Sequence, residues 1–315
     1  MTSNHLLVIT RHAAEYGQLL AEANLPDLVI HTAVDHQAAR PYLQTSNLIL
    51  GAPAFIRHII NDAPQVSWVQ STWAGVEKLV EAPNTRQNYQ LTNVRDIFGP
   101  QMSEFVFAHL IMMVRQDWAR YDQQKERIWR HNMPAVIHGK RIGLIGVGSI
   151  GGDVARTGKH FGLEVWGYTR SSEGCTAVDR YFHGDRFLEF VSGVDFLINT
   201  LPHTSQSVNL LDKTVFAAMK PTSIFINIGR GSAVVERDLV TALEQGEIAN
   251  AVLDVCQQEP LPPDHFLWDA PNTIITNHTS AVSFPNRVMP IFIENYQRFR
   301  ENTPLKYVVD FGQGY

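Results

Sequence analysis

Gly146-Val147-Gly148-Ser149-Ile150-Gly151 follows directly on the apolar run Ile142–Ile145. Glycines at this spacing suit the point where a strand turns into a helix. Gly146 would permit the tight turn, Gly148 would let backbone approach a pyrophosphate, and Gly151 would let helix and strand pack closely. The helix opened by Ser149 and Ile150 would offer free N–H groups and a positive dipole end to phosphates. An ordinary tight βα turn is the plain alternative. About 20 residues beyond this motif a NAD-specific site usually carries Asp or Glu for the ribose 2′-hydroxyl. This chain instead reads Thr169-Arg170-Ser171-Ser172. A carboxylate would repel a 2′-phosphate, whereas Arg170 would pair with it and Ser171 would donate a hydrogen bond. NADP(H) is therefore the expected cofactor, with NAD(H) second. The alternative leaves Arg170 stacked on adenine or solvated.

Three later motifs extend the pattern. They are Asn227-Ile228-Gly229-Arg230-Gly231, Leu253-Asp254-Val255-Cys256-Gln257-Gln258-Glu259-Pro260-Leu261-Pro262 and Asn277-His278-Thr279-Ser280-Ala281. Alone, each is weak: a lone loop His is more often a hydrogen-bonded surface residue than a catalyst. In this order and spacing, nearly the whole chain resembles the D-isomer-specific 2-hydroxyacid dehydrogenase family. Val69-Gln70-Ser71-Thr72-Trp73-Ala74-Gly75-Val76-Glu77 and Arg95-Asp96-Ile97-Phe98-Gly99 look most like its glyoxylate/hydroxypyruvate reductase branch.

The resemblance implies a catalytic trio of Arg230, Glu259 and His278. Reducing a 2-keto acid adds hydride to C2 and a proton to the developing alkoxide. His278 would be the general acid, because imidazole carries a proton near neutral pH. Glu259 would accept from the other ring nitrogen and favour the imidazolium. Arg230 would hold the carboxylate and keto oxygens. The resemblance also assigns Thr169, Leu201, Pro202, Ile228, Gly229 and Asp254 to the cofactor. For Asp254, helix capping or solvation is the alternative. The substrate carboxylate would take further donors from the turn Trp73, Ala74, Gly75 and Val76, where a plain strand-to-helix turn is the alternative. Arg95 would reach the substrate's distal end or pair with Asp96. Trp73, Met102, Trp268 and Phe284 would wall the pocket or lie in the core.

Two departures stand out. The family often has Pro before the catalytic His, and here it is Asn277, which puts the rigidity of that loop in doubt. Pro also often stands where Phe266 does. An appended amino-acid-sensing domain is not expected.

Positioning these groups requires repeated βα units. Leu6–Thr10, Leu28–His31, Asn47–Gly51 and Trp68–Ser71 read as strands, with helices at Ala13–Ala23 and Phe55–Asn61. Short continuous apolar strands suit a parallel sheet covered on both faces. From Lys140 the alternation resumes. Strands are expected at Arg141–Gly146, Glu164–Tyr168, Asp195–Thr200, Ser223–Ile228, Asn250–Val255 and Thr273–Thr276. Helices are expected at Val154–Phe161, Lys213–Met219 and Glu236–Gln245. The fold class is α/β: two doubly wound parallel-sheet domains with a cleft between them. One is a Rossmann-type cofactor domain over 99–284. The other is a smaller, discontinuous, flavodoxin-like substrate domain over 1–98 and 285–315, rejoined by the helix Val288–Arg300. Gln101–Trp129 reads as one long helix, too apolar for a single wet face. With the family's habit of pairing through this helix, it implies a homodimer. Burial inside one subunit is the alternative. Asn132–Gly139 reads as a connecting loop.

Composition narrows the classes. The chain has 315 residues, 44% of them apolar, 18% charged, and a formal net charge of −5. Mild acidity argues against nucleic-acid binding. Cys175 and Cys256 make neither a disulfide framework nor a zinc site, which fits a reducing cytoplasm. No apolar run is long enough to span a bilayer, and the start at Met1-Thr2 lacks signal-peptide regions. Thirteen histidines show no metal-ligand spacing, so no metal is expected. The expected partner is a small anionic 2-keto or 2-hydroxy acid. Dehydrogenation of another D-2-hydroxyacid, or dinucleotide sensing by a corepressor-like binding protein, remain the alternatives.

Overall fold

The computed structural model describes residues 3–81, 84–131 and 133–312; Met1, Thr2 and Asn132 of the expectations above lie outside them. The chain divides into two compact units. One comprises Met1–Ile97 and Ser283–Tyr315, the other Phe98–Val282.

The first unit is built on a five-stranded parallel sheet. Its strands are β1 (Asn4–Ile9), β2 (Leu28–Ala33), β3 (Leu48–Gly51), β4 (Trp68–Ser71) and β5 (Gln90–Thr92). Their spatial order is β2-β1-β3-β4-β5. Leu6, Leu7, Val8, Leu48, Leu50 and Val69 have no exposed surface, as strands covered on both faces should. The C-terminal helix Pro285–Arg300 packs on the helix Ala13–Ala23 of this unit. Phe292 of that helix stacks on Trp68 at 5.3 Å.

The second unit holds a seven-stranded parallel sheet in the order β12-β11-β10-β9-β6-β7-β8. These strands are β6 (Arg141–Ile145), β7 (Glu164–Tyr168), β8 (Arg180–Phe182), β9 (Phe196–Asn199), β10 (Ile224–Asn227), β11 (Asn250–Leu253) and β12 (Thr273–Ile275). The two doubly wound sheets expected from the sequence are both present. Strand order reverses around β6, which pairs with β7 on one side and β9 on the other. A doubly wound sheet opens its ligand crevice at such a switch point, beyond the strand C-termini. The glycine loop leaves the sheet there.

Two of the expected helices are broken. Phe55–Asn61 is not one helix but a turn of α-helix at Pro53–Ile56 and a 3₁₀ turn at Ile60–Asp62. The long helix is also broken, into Gly99–Val114 and Asp117–Lys125, by Gln116 in the left-handed region at φ 58°. The apolar pattern stops at Val114, so nothing pulls the next turn onto the core. Val106, Phe107 and Leu110 pack against the β6 side of the sheet, with Met102, Phe105, Ile111, Met113 and Val114 half-buried around them. Much of the helix's apolar surplus is thus taken up within its own unit. By contrast, Trp118, Tyr121, Ile128 and Trp129 are exposed, Trp129 almost completely.

Candidate active site

β6 ends in the glycine loop, and the helix Ser149–His160 starts from it. Gly146 has φ 92°, a conformation that L side chains rarely adopt. A Cβ on Gly151 would run into the Gly146 carbonyl, so only glycine lets the helix approach this closely. A Cβ on Gly148 would meet nothing within 4 Å, and Gly148 and Ser149 are exposed. The amides of Ser149 and Ile150 lie in a first helical turn that has no preceding carbonyls to serve. Open space before a set of unserved donors fits a pyrophosphate. Thr200 holds the loop from the next strand: its hydroxyl donates to the Gly146 carbonyl at 2.9 Å.

Thr169, Arg170 and Ser171 follow β7, with Arg170 and Ser171 exposed. β9 and β10 run side by side and end in Asn199 and Asn227, both fully buried. Asn199 Nδ2 donates to Asn227 Oδ1 at 2.9 Å. Asn199 Oδ1 accepts from the Leu201 amide, and Asn227 Oδ1 from the Gly229 amide, each at 3.2 Å. A Cβ on Gly229 would lie 2.6 Å from the Leu201 carbonyl. The two asparagines therefore bring Leu201 and Pro202 beside Ile228 and Gly229.

Arg230 follows, and its guanidinium donates to the Gly229 carbonyl at 2.8 Å. His278 Nδ1 lies 2.7 Å from Glu259 Oε2. A carboxylate only accepts, so Nδ1 carries the proton and Nε2 is left for other chemistry. This hydrogen bond is the main reason the imidazolium persists above the usual histidine range. Burial opposes it, the charges of Glu259 and Asp254 reinforce it, and Arg230 opposes it. Burial pushes the Glu259 carboxyl up, but the bond and charge of His278, the Cys256 amide and Arg230 outweigh burial and hold it below its usual range. The trio is thus assembled from three loops at the strand C-termini.

Asp254 is buried and organises the histidine loop. Its Oδ1 accepts from the Thr276 hydroxyl at 2.8 Å, the Thr279 amide at 2.7 Å and the Ser280 amide at 3.0 Å. Its carbonyl accepts from the His278 amide at 2.7 Å. Neither helix capping nor solvation describes it. Asn277 and His278 have φ 56° and 59°. Proline cannot reach that region, and Asn enters it more readily than most residues. Asp254 ties this loop down with hydrogen bonds to Thr276, His278, Thr279 and Ser280. The glutamate loop has its own anchor in Glu236, whose buried carboxylate accepts from the Gln257 amide at 2.7 Å. At the second departure, the Phe266 ring lies under Arg237 at 3.5 Å. The supporting roles of Glu236, Asn199 and Thr200, and of the motif residue Asn227, escaped the sequence reading, because they come from long-range hydrogen bonds.

In the first unit, the turn after β4 carries Trp73, Ala74 and Gly75. Ser71 Oγ accepts from the Trp73 amide at 3.0 Å. Asn93 Nδ2 donates to the Ala74 carbonyl at 2.9 Å, and Arg95 Nε donates to Asn93 Oδ1 at 3.1 Å. Arg95 does not pair with Asp96, which accepts from the Tyr307 hydroxyl. Trp73 and Phe284 in this unit, and Trp268 in the other, are exposed rather than core; Met102 packs on the core. Among the described residues, no His, Cys, Asp and Glu group is arranged to hold a metal ion.

Residues 107–280 match the sequence profile of the D-isomer-specific 2-hydroxyacid dehydrogenase NAD-binding domain. The chain belongs to this family. It is thus an NAD(P)-dependent 2-hydroxyacid dehydrogenase, and the matched segment contains the glycine loop and the three loops that carry Arg230, Glu259 and His278. A solved structure of a family member from Aeromonas salmonicida subsp. salmonicida is 41% identical, with a TM-score of 0.95 over 98% of this chain and 100% of that one. The NADPH-dependent glyoxylate/hydroxypyruvate reductase of Sinorhizobium meliloti, solved with NADP and sulfate, is 27% identical with a TM-score of 0.86, covering 99% and 100%. Glyoxylate/hydroxypyruvate reductase A of Yersinia enterocolitica is 33% identical over 215 residues, 68% of this chain and 69% of that protein. Among the described residues, no helix of this dehydrogenase is long and apolar enough to cross a membrane.

Proposed function

We propose that this dehydrogenase reduces small 2-keto acids with NADPH, glyoxylate to glycolate and hydroxypyruvate to D-glycerate. The observation that carries the chemistry is the 2.7 Å bond between His278 and Glu259, with Arg230 close enough to act on both charges. The substrate class is supported by the named activities of relatives from Yersinia and Sinorhizobium. The cofactor is supported by Arg170 and Ser171 directly after β7, where a NAD-specific site usually carries Asp or Glu; the nearest carboxylate in the turn, Glu173, is paired with His183.

Each group has a task. Gly146, Gly148, Ser149, Ile150 and Gly151 hold the pyrophosphate; Thr169, Arg170 and Ser171 face the adenosine ribose. Leu201, Pro202, Ile228, Gly229 and Asp254 shape the nicotinamide end. When bound, the nicotinamide supplies the hydride. Arg230 neutralises the substrate carboxylate and polarises the keto group. His278 Nε2 delivers a proton to the developing alkoxide, while Glu259 stabilises the imidazolium before transfer. Backbone donors at Ala74 and Gly75, with Arg95, are proposed contacts for the substrate; the Trp73 amide, expected among them, already donates to Ser71 Oγ.

We further propose a homodimer that uses the exposed Trp118, Tyr121 and Trp129, and a place in the reducing cytoplasm, supported by the free thiols Cys175 and Cys256. The deciding assay follows NADPH and NADH oxidation with glyoxylate, hydroxypyruvate, pyruvate and bulkier keto acids. Higher kcat/KM for NADPH with the two-carbon and hydroxylated three-carbon acids is expected. Equal use of NADH overturns the cofactor assignment, and preference for a bulkier acid overturns the substrate.

A further inference from the structure

β8 does more than close the sheet edge. The Tyr181 hydroxyl accepts from the Cys175 amide at 3.0 Å and donates to the Cys175 carbonyl at 3.2 Å, anchoring the chain that leaves β7. His183 anchors it closer to the strand. Its Nδ1 lies 2.8 Å from the Thr169 carbonyl oxygen, and its Nε2 lies 2.9 Å from Glu173 Oε1. A carbonyl and a carboxylate only accept hydrogen bonds. Both contacts are bonds at once only when both ring nitrogens carry protons, which is the imidazolium. The Thr169 hydroxyl closes the turn by donating to the Ser172 carbonyl at 2.7 Å. Arg170 and Ser171 lie in the chain between the two residues that His183 bridges.

We propose that His183 is a positioning residue for cofactor choice: its imidazolium bridges Thr169 and Glu173 and so holds the turn in which Arg170 and Ser171 meet a 2′-phosphate. The inference rests on the NADP(H) reading above. Loss of the Nδ1 proton ends the bond to the Thr169 carbonyl and makes Nδ1 an acceptor for the Thr169 hydroxyl 3.2 Å away, which draws that hydroxyl off the Ser172 carbonyl, loosens the turn and removes a positive charge near the phosphate. The groups that face the ring are Glu173 and Arg186, with the titratable Tyr181 ring stacked on it at 6.3 Å. The Glu173 bond, then the Thr169 carbonyl, hold the imidazolium above the usual histidine range, against burial and the Arg186 charge. The bridge is therefore intact at acid and neutral pH and is lost as pH rises through that raised value. NADH has no 2′-phosphate and is indifferent to it.

Equilibrium binding without substrate tests this. NADPH and NADH are titrated by nucleotide fluorescence into the wild type, His183→Gln and Glu173→Gln at about pH 6.5 and about pH 9, either side of the imidazole titration. His183→Gln should weaken NADPH about fivefold or more at the lower pH and less than about twofold at the higher, the scale of one charge-assisted hydrogen bond. NADH affinity should not change, which also shows that the variant is folded. Glu173→Gln should move the pH at which NADPH affinity falls to a lower value. Titration of the phosphate itself is common to all three proteins and cancels in their ratios. An equal NADPH loss at both pH values, or a parallel loss of NADH, overturns the proposal. A wild type that binds NADH as tightly as NADPH at both pH values overturns the cofactor reading itself, and that result needs no variant.

Discussion

Replacing Asp254 by Asn separates the two roles this residue has been given. The change keeps shape and removes charge. Oδ1 would still accept from Thr276, Thr279 and Ser280, but as a neutral amide oxygen. A charge-assisted bond is roughly twice as strong as a neutral one. Weakening three of them costs about 2 kcal/mol. The new Nδ2 donor would also face the Ser280 amide, which now lies 3.1 Å from Oδ2. In a unit of this size, about 2 kcal/mol lowers the melting temperature by roughly 4–8 °C. Catalysis reports the second consequence. The Asp254 charge helps to keep the His278 imidazolium above the usual range. Reduction needs that proton, so the rate falls as pH rises through the raised value. Without the Asp254 charge the alkaline limb of kcat/KM must move to lower pH. The assay is keto-acid reduction at saturating NADPH across pH, beside a thermal melt and an NADPH titration. If the limb stays in place, or moves to higher pH, while NADPH affinity collapses, Asp254 is a cofactor ligand and the loop argument is wrong.

The other predictions concern the same loops and the outer helix. His278→Gln and Arg230→Ala should each lose at least ~100-fold in kcat with the fold intact by circular dichroism, as removed acid–base or electrostatic groups do; near-normal turnover of either refutes the trio. Asn277→Pro introduces the residue that the family resemblance leads one to expect, yet φ 56° excludes it, since proline holds φ near about −65°. Displacing His278 by about 1 Å costs on the order of 100-fold in turnover, and an active variant would show that the loop adopts another conformation. Trp129→Glu should convert a dimer to monomer by light scattering, because Trp129 is 99% exposed within the chain; a wild-type monomer would overturn the dimer assignment.

Local constraints were legible in the sequence. The turn after β6 needs glycine because its backbone geometry and close packing exclude a Cβ, and that requirement is written in six consecutive residues. Buried parallel strands such as Leu48–Gly51 and Ile224–Asn227 read as short apolar runs because both faces are covered. The edge strands β5 and β8 went unread: Gln90–Thr92 and Arg180–Phe182 are three residues each, partly exposed, and owe their form to a neighbour already in place. Nothing local to Gln116 marks the left-handed residue that splits the long helix, because the break depends on where the core ends. Arg230, Glu259 and His278 were recognisable as types in an ordered set. Their meeting was decided by the sheet, which places three distant loops at adjacent strand ends. The supports of that meeting were invisible for the same reason. Asp254 gathers Thr276, Thr279 and Ser280 from more than twenty residues away, and His183 reaches back to Thr169 across a whole loop. A residue's type states what it can bond; only the tertiary fold brings its partner within 3 Å.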